Sequence, residues 1–255
     1  MIDVFGFAGR KALVTGASSG IGYAVAANLA RHGASVAIHY HRGAEAAEEL
    51  ATQIRATGGT AVALGADLRD DAEAEALVSR AAEALGGIDI LVNNAGAMGD
   101  RLSFAEAGRD LANQVFDLNC RSLITVTHAA LPWLSASDAA AVVNTGSIAG
   151  RNGGGIGAGF YAAAKGYVHT VTRGMAREFA SKGIRVNAVA PGVIDTPFHA
   201  TTPPEVLASL KSAIPMGRLG TTEDCVGPYL FLCSAALSGY VTGQIIDVNG
   251  GQYMP

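Results

Sequence analysis

The sequence predicts an α/β chain folded as a doubly wound sheet with helices on both faces. Short β-branched runs alternate from end to end with longer alanine-rich stretches of helical period. Such alternation implies repeated right-handed strand–helix–strand crossovers. Most candidate strands are apolar at consecutive positions, as parallel strands covered on both faces require. Glycine- and asparagine-rich motifs fall at the carboxyl ends of those strands, where sheets of this kind place ligands.

The elements follow in order. KALVTG is the first strand and leads through a glycine-rich turn into a helix over 21–31. ASVAIHY, TAVALGAD, GIDILVNNAG, AAAVVNTG and GIRVNAVAPG are the next strands, followed by helices over 45–56, 72–84, 112–134, 162–181 and 222–235. QIIDVNGG closes the series. With no linker, repeat or low-complexity segment, residues 1–255 read as a single domain. The long stretch 193–220 holds Pro197, Phe198, His199, Pro203 and Pro204 and reads as a mobile lid with a short helix near 205–212.

Bulk properties narrow the function. The chain has 255 residues, 49% hydrophobic and 16% charged, enough for a large core and against disorder. A formal charge of −4 gives no basic footprint for nucleic acid. No apolar run is long enough for a membrane span, and MIDVFGFAGRKALVTG lacks the basic start of a secretory signal. Cys120, Cys225 and Cys233 are odd in number and show no C-x-x-C spacing, against a disulfide framework or a metal site. The expectation is a cytoplasmic protein with idle thiols.

TGASSGIGYAVAANLA places Gly16, Gly20 and Gly22 at a strand-to-helix turn. Small residues there let phosphate approach the amides and the positive end of the following helix. The spacing is G-x-x-x-G-x-G and departs from the common dinucleotide fingerprint. The candidate cradle comprises Gly16, Ser18, Ser19, Gly20, Ile21 and Gly22. The second strand ends in Tyr40-His41-Arg42 with no carboxylate to take ribose hydroxyls. Arg42, helped by Tyr40 or His41, suits a 2′-phosphate, or else simply caps a surface loop. Asp67 is a candidate acceptor for the adenine amino group, with Leu68 covering the ring, or alternatively a helix cap. Tyr161 and Lys165, four residues apart in FYAAAKG, share one helical face. By itself that pair reads equally as a packed aromatic beside a solvated charge.

Together TGASSGIG, NNAG at 93–96, Ser147, YAAAK at 161–165 and PG at 191–192 resemble the short-chain dehydrogenase/reductase family, from about residue 10 to 251. The resemblance implies a Rossmann-like sheet of seven parallel strands, a homotetramer, and hydride transfer between a nicotinamide cofactor and a carbonyl or secondary alcohol. NADP(H) is preferred on Arg42, with NAD(H) possible. It implies a catalytic group of Asn119, Ser147, Tyr161 and Lys165. In it Tyr161 donates the proton, Lys165 lowers the Tyr161 pKa and meets the nicotinamide ribose, Ser147 hydrogen-bonds the carbonyl, and Asn119 holds a water near Lys165. Asn94, Ala95, Gly96, Pro191, Gly192, Ile194 and Thr196 complete the implied cofactor contacts, Thr196 at the carboxamide. Gly146 and Ala164 depart from frequent serines of the family.

A hydrolase is a poor fit, because TGSIAG does not give the spacing of a nucleophile elbow. His128 and His169 lie in helical stretches and read as surface or packing residues. Specificity falls to loops 97–107, 148–159 and 193–220. AGRNGGGIGAGFYAAAK, DTPFHA, IPMGRLG and NGGQY look like reductases of sugar-derived keto acids, which makes Ser147, Tyr161, Arg151 and His199 the candidate substrate residues. The tail and YAAAK also resemble ketoacyl thioester reductases, although 129–134 offers no Lys or Arg to an acidic carrier protein and only Lys182 would serve. A non-catalytic, cofactor-sensing scaffold is the reading of another class, disfavoured by an intact catalytic group.

Overall fold

The computed structural model describes residues 3–200 and 202–255. In chain order its elements are β1 (Lys11–Val14), α1 (Gly20–Arg31), β2 (Ser35–Tyr40), α2 (Ala44–Ala56), β3 (Ala61–Gly65), α3 (Asp71–Leu85) and β4 (Ile90–Asn93). Then come α4 (Arg109–Phe116), a π-helical turn (Asp117–Arg121), α5 (Ser122–Ser135), β5 (Ala141–Thr145), α6 (Ala149–Asn152), α7 (Gly159–Phe179) and β6 (Arg185–Pro191). The chain ends with α8 (Pro204–Ser212), α9 (Thr222–Cys233), α10 (Ala235–Ser238) and β7 (Ile245–Val248).

All seven strands pair in parallel, in the order β3-β2-β1-β4-β5-β6-β7. This is the Rossmann-like doubly wound sheet expected. Strand order reverses between β1 and β4, so a crevice opens beyond their carboxyl ends. Adjacent strand residues explain why the runs are apolar throughout. Val14, Ile38, Val92 and Val143 face the layer of α1, α2 and α9. Leu13, Ala37, Leu91 and Val142 face the layer of α3, α5 and α7.

Three local features differ from the sequence expectation. The helix read over 112–134 is interrupted by the π-helical turn around Asn119. The stretch 148–159, read as a loop, contains the short helix α6. A side chain at Gly150 would lie 2.7 Å from the Lys165 carbonyl carbon, so this glycine lets α6 press against the backbone of α7. In the stretch 193–220, α8 is present and residue 201 falls outside the described residues. Its base is tied by a bridge between Ile194 and Gly220 and by the Asp195 amide donating to Gly220 O at 2.8 Å. No helix among the described residues is long and apolar enough to cross a membrane.

Candidate active site

A cleft of about 900 Å³ runs along the carboxyl ends of the strands, from the glycine-rich turn to the 193–220 stretch. Of the residues singled out in the sequence, Gly16, Ser18, Ser19, Gly20, Ile21, His41, Arg42, Asp67, Leu68, Asn94, Ala95 and Gly96 line it. So do Ser147, Tyr161, Lys165, Pro191, Gly192, Ile194, Thr196 and His199. Gly22, Tyr40, Asn119 and Arg151 lie outside the lining.

The turn after β1 is held from behind. Asn94 Nδ2 donates to Thr15 O and Gly16 O, each at 3.0 Å, and the Gly16 amide donates to His39 Nδ1 at 3.0 Å. A Cβ at Gly22 would lie 2.4 Å from both Asn94 Nδ2 and Gly16 O, so Gly22 permits this close packing without facing the cleft. Gly16 and Gly20 have φ of 61° and 58°, values that favour glycine. Ser19 stands at the N-cap of α1, yet its side chain caps nothing, and the first turn carries no acid. The leading amides of α1 are thus left for an anion, and the cradle fits a pyrophosphate.

At the far end of the cleft, His41 and Arg69 stand beside Asp67, and Arg42 lines the same cleft. Arg69 donates to both Asp67 oxygens, His41 Nε2 lies 3.7 Å from the carboxylate, and the Arg69 hydrogen bond first of all holds the Asp67 pKa down to about 2. That carboxylate is already engaged. The Arg42 carbonyl accepts from Ser18 Oγ at 3.1 Å, which joins this rim to the cradle. Tyr40 requires a correction. Its ring packs over Gly65, where a Cβ would approach within 3.0 Å, and it is not among the residues that line the cleft.

The reactive group gathers on β5, α7 and the π-helical turn. Tyr161 and Lys165 are both buried, and Lys165 Nζ donates to Thr145 O at 2.8 Å while standing 5.5 Å from the Tyr161 ring centroid. Burial pushes the Lys165 ammonium down to about 8. Burial also pushes the Tyr161 phenol up to about 12, with Ser147 pulling the other way. The expected lowering by Lys165 is absent in this state, and only the Ser147 hydrogen bond opposes desolvation. Asn119 lies beneath Gly96. Its Nδ2 donates to Ala97 O and Val115 O at 2.8 Å each, and its buried Oδ1 has no partner among the described residues. A Cβ at Gly96 would sit 2.5 Å from that Oδ1 and 3.2 Å from Lys165 Nζ, so the two polar atoms flank one narrow space.

Arg151 is the second correction. It forms an ion pair with Asp247, Nη2 to Oδ2 at 2.9 Å and Nε to Oδ1 at 3.2 Å, and braces β7 instead of facing the cleft. Arg101, Asn152 and Gln252 do line the cleft and had no motif to mark them. Of the two helical histidines, His128 is exposed on α5. His169 is buried, and its Nε2 accepts from the Ser147 amide at 3.4 Å. A Cβ at Gly146 would lie 2.3 Å from that same nitrogen, so the glycine at 146 and the histidine at 169 are one packing solution.

A glycine-rich anion cradle at the switch point, joined by one cleft to a buried Ser–Tyr–Lys group, is the arrangement of a nicotinamide-dependent oxidoreductase. A family profile described as enoyl-(acyl-carrier-protein) reductase matches residues 16–252. The chain is 36% identical over 245 residues to a 3-oxoacyl-(acyl-carrier-protein) reductase of Staphylococcus aureus, covering 96% of this chain and 98% of that one. The structure matches that of the NADH-dependent reductase A1-R′ responsible for alginate metabolism, with a TM-score of 0.90, 41% identity, and coverage of 98% and 99%. It also matches a short-chain dehydrogenase from Burkholderia cenocepacia in complex with NADP, with a TM-score of 0.90, 34% identity, and coverage of 96% and 98%. The chain belongs to the short-chain dehydrogenase/reductase family. It is an oxidoreductase that uses a nicotinamide cofactor and acts on an alcohol or carbonyl group.

Proposed function

We propose that this enzyme uses NADPH in preference to NADH to reduce the carbonyl of a small polar substrate, a keto acid of the sugar-derived kind. The observation that carries the reading is the convergence of Ser147, Tyr161 and Lys165 on one cleft whose other end is basic. Arg42, Arg69 and His41 favour a 2′-phosphate there, and Asp67, held by Arg69, is poorly free to bind ribose hydroxyls.

The cofactor supplies the hydride. Gly16, Ser18, Ser19, Gly20 and Ile21 bind its phosphates through amides and hydroxyls, and Pro191, Gly192, Ile194 and Thr196 hold its nicotinamide end, with Asn94, Ala95 and Gly96 along the floor. Ser147 Oγ donates to the substrate carbonyl oxygen and stabilises charge as it develops. Tyr161, whose burial keeps the phenol protonated at neutral pH, gives its proton to the forming alkoxide. Lys165 favours the phenolate that remains, and Asn119 connects Lys165 to a proton source. A protonated phenol suits reduction, so alcohol oxidation is expected to speed up as the pH rises above neutral. Rates in both directions between pH 7 and about 10 test this.

The 193–220 stretch acts as the lid of this one domain. Exposed Trp133, Leu237, Tyr240 and Met254 favour burial between copies in a homotetramer. Three buried free thiols suit the cytoplasm.

The deciding experiment is oxidation of NADPH against NADH over a panel of keto acids, sugars and a ketoacyl thioester. NADPH preference that falls about tenfold in Arg42→Ala, with turnover of a keto acid, supports the reading. NADH preference contradicts the cofactor assignment. Selective turnover of the ketoacyl thioester would favour the second reading, which the Staphylococcus aureus relative supports. Cofactor binding without turnover of any carbonyl would indicate a scaffold.

A further inference from the structure

The substrate end of the cleft carries a small polar network that no motif announces. Arg101 Nη2 donates to Thr202 Oγ1 at 3.2 Å, and His199 Nδ1 lies 3.2 Å from the same oxygen. Arg101 forms no ion pair with a carboxylate among the described residues. It is only partly exposed, so its charge is neither paired nor fully solvated.

An arginine can only donate, so the Thr202 oxygen accepts from Arg101, and through its second lone pair or its own proton it also meets His199 Nδ1. Burial and the nearby Arg101 charge hold the His199 pKa down, against the exposed Asp195 on the same loop, which raises it. A neutral His199 accepting at Nδ1 carries its proton on Nε2. The remaining Arg101 guanidinium N–H groups are left without an acceptor among the described residues, and His199 Nε2–H joins them in the tautomer that accepts from Thr202 at Nδ1. Of the common groups on polar metabolites, a carboxylate accepts on both oxygens and donates from neither.

Position adds a second constraint. The Phe198 ring contacts both this network and the reactive tyrosine, 5.5 Å from the Tyr161 ring centroid and 5.3 Å from that of His199. No hydrogen bond or ring contact joins Arg101 or His199 directly to Tyr161 among the described residues. A group held by Arg101 is therefore set apart from a carbonyl at Tyr161. Resting on the reductase reading above, we propose that Arg101, with His199 oriented through Thr202, grips a substrate carboxylate several bonds away from the reacting carbonyl. The enzyme then selects oxo acids with the two groups at opposite ends over α-keto acids.

The test compares kcat/KM with NADPH for adipic semialdehyde, its neutral methyl ester, pyruvate and acetoacetyl coenzyme A. The wild type is expected to favour the acid over the ester by at least about tenfold, and over pyruvate. Arg101→Met should bring the acid-to-ester ratio close to one, and Arg101→Lys should leave it intermediate. Because each ratio is taken within one variant, general damage to the fold cancels. An acid-to-ester ratio near one in the wild type, or a ratio unmoved by Arg101→Met, overturns the assignment of Arg101. Preference for pyruvate or for acetoacetyl coenzyme A overturns the distal carboxylate. If Arg101 fails in this way while the ester and the acid are still turned over, the reductase reading stands. Failure to turn over any of the four carbonyls would overturn that reading and the anchor with it.

Discussion

Lys165 of α7 and Arg185 of β6 are both buried cations that form no ion pair with a carboxylate among the described residues. Arg185 donates to Leu232 O at 2.8 Å, Ser238 Oγ at 2.8 Å, and Ser238 O and Cys233 O at 3.3 Å each. It sits where α9 and α10 end, against carbonyls at the negative ends of their dipoles. Lys165 has three donors and, among the described residues, a single hydrogen bond, to Thr145 O, and it faces the cleft beside a phenol. The difference teaches how a structural cation and a working one are told apart. The first is saturated by backbone, while the second keeps donors for groups that come and go.

Helix N-termini repeat the contrast. Asp70 caps α3 by accepting from the Ala72 and Glu73 amides, and Thr221 with Asp224 forms a capping box on α9. Ser19 has the side chain to cap α1 and does not. The one helix of these three that points into the cradle keeps its amides open.

The contrast can be broken or sharpened by substitution. Lys165→Met is expected to lower turnover by about 10³-fold while the protein stays folded, because no carboxylate loses its partner. Steady-state rates set beside a thermal melt check this. A variant that unfolds would place Lys165 with Arg185 among the structural cations.

Acid should have the next largest effect. His39 and His169 are buried, and burial lowers each from 6.5 to about 4. The folded state therefore holds them neutral while the unfolded chain takes up protons. Stability is full above pH 6.5 and is lost as the pH falls from 6.5 towards 4. His39 Nδ1 accepts from the Gly16 amide, so its protonation also loosens the cradle. Urea unfolding across that window should show a shallower pH dependence in His39→Gln.

Gly146→Ser tests the packing behind Ser147. A Cβ placed 2.3 Å from His169 Nε2 must displace the ring or the strand, and kcat/KM should drop about 10- to 100-fold. The double variant with His169→Ala should recover most of it, which simple damage to β5 would not allow. Arg185→Met should cost about 1–3 kcal/mol of stability in urea unfolding, since several buried carbonyls lose their donor, with turnover per folded molecule unchanged.

Much of this was legible in the sequence because it is local or periodic. Seven apolar runs alternating with helices suffice for the parallel sheet, and Tyr161 and Lys165 announce themselves by a spacing of one helical turn. Features that depend on distant partners were not legible. Arg151 stands beside the Ser147 motif, but Asp247 claims it from the last strand. Arg101 follows the NNAG motif in a loop with no pattern, and only the fold brings Thr202 and His199 to it. The π-helical turn at Asn119 adds local widening that apolar periodicity over 112–134 does not register. The pairing of Gly146 with His169 joins a strand end to a helix and leaves no trace in either segment alone.

The most direct test of the central claim is single-turnover oxidation of bound NADPH by Tyr161→Phe, with the best carbonyl of the panel and NADPH affinity measured on the same sample. The account predicts affinity within about twofold of wild type and a rate lower by about 10³-fold, because the phenylalanine keeps the packing and loses the proton. A rate close to wild type would contradict the assignment of Tyr161 as the proton donor and the chemistry built on it.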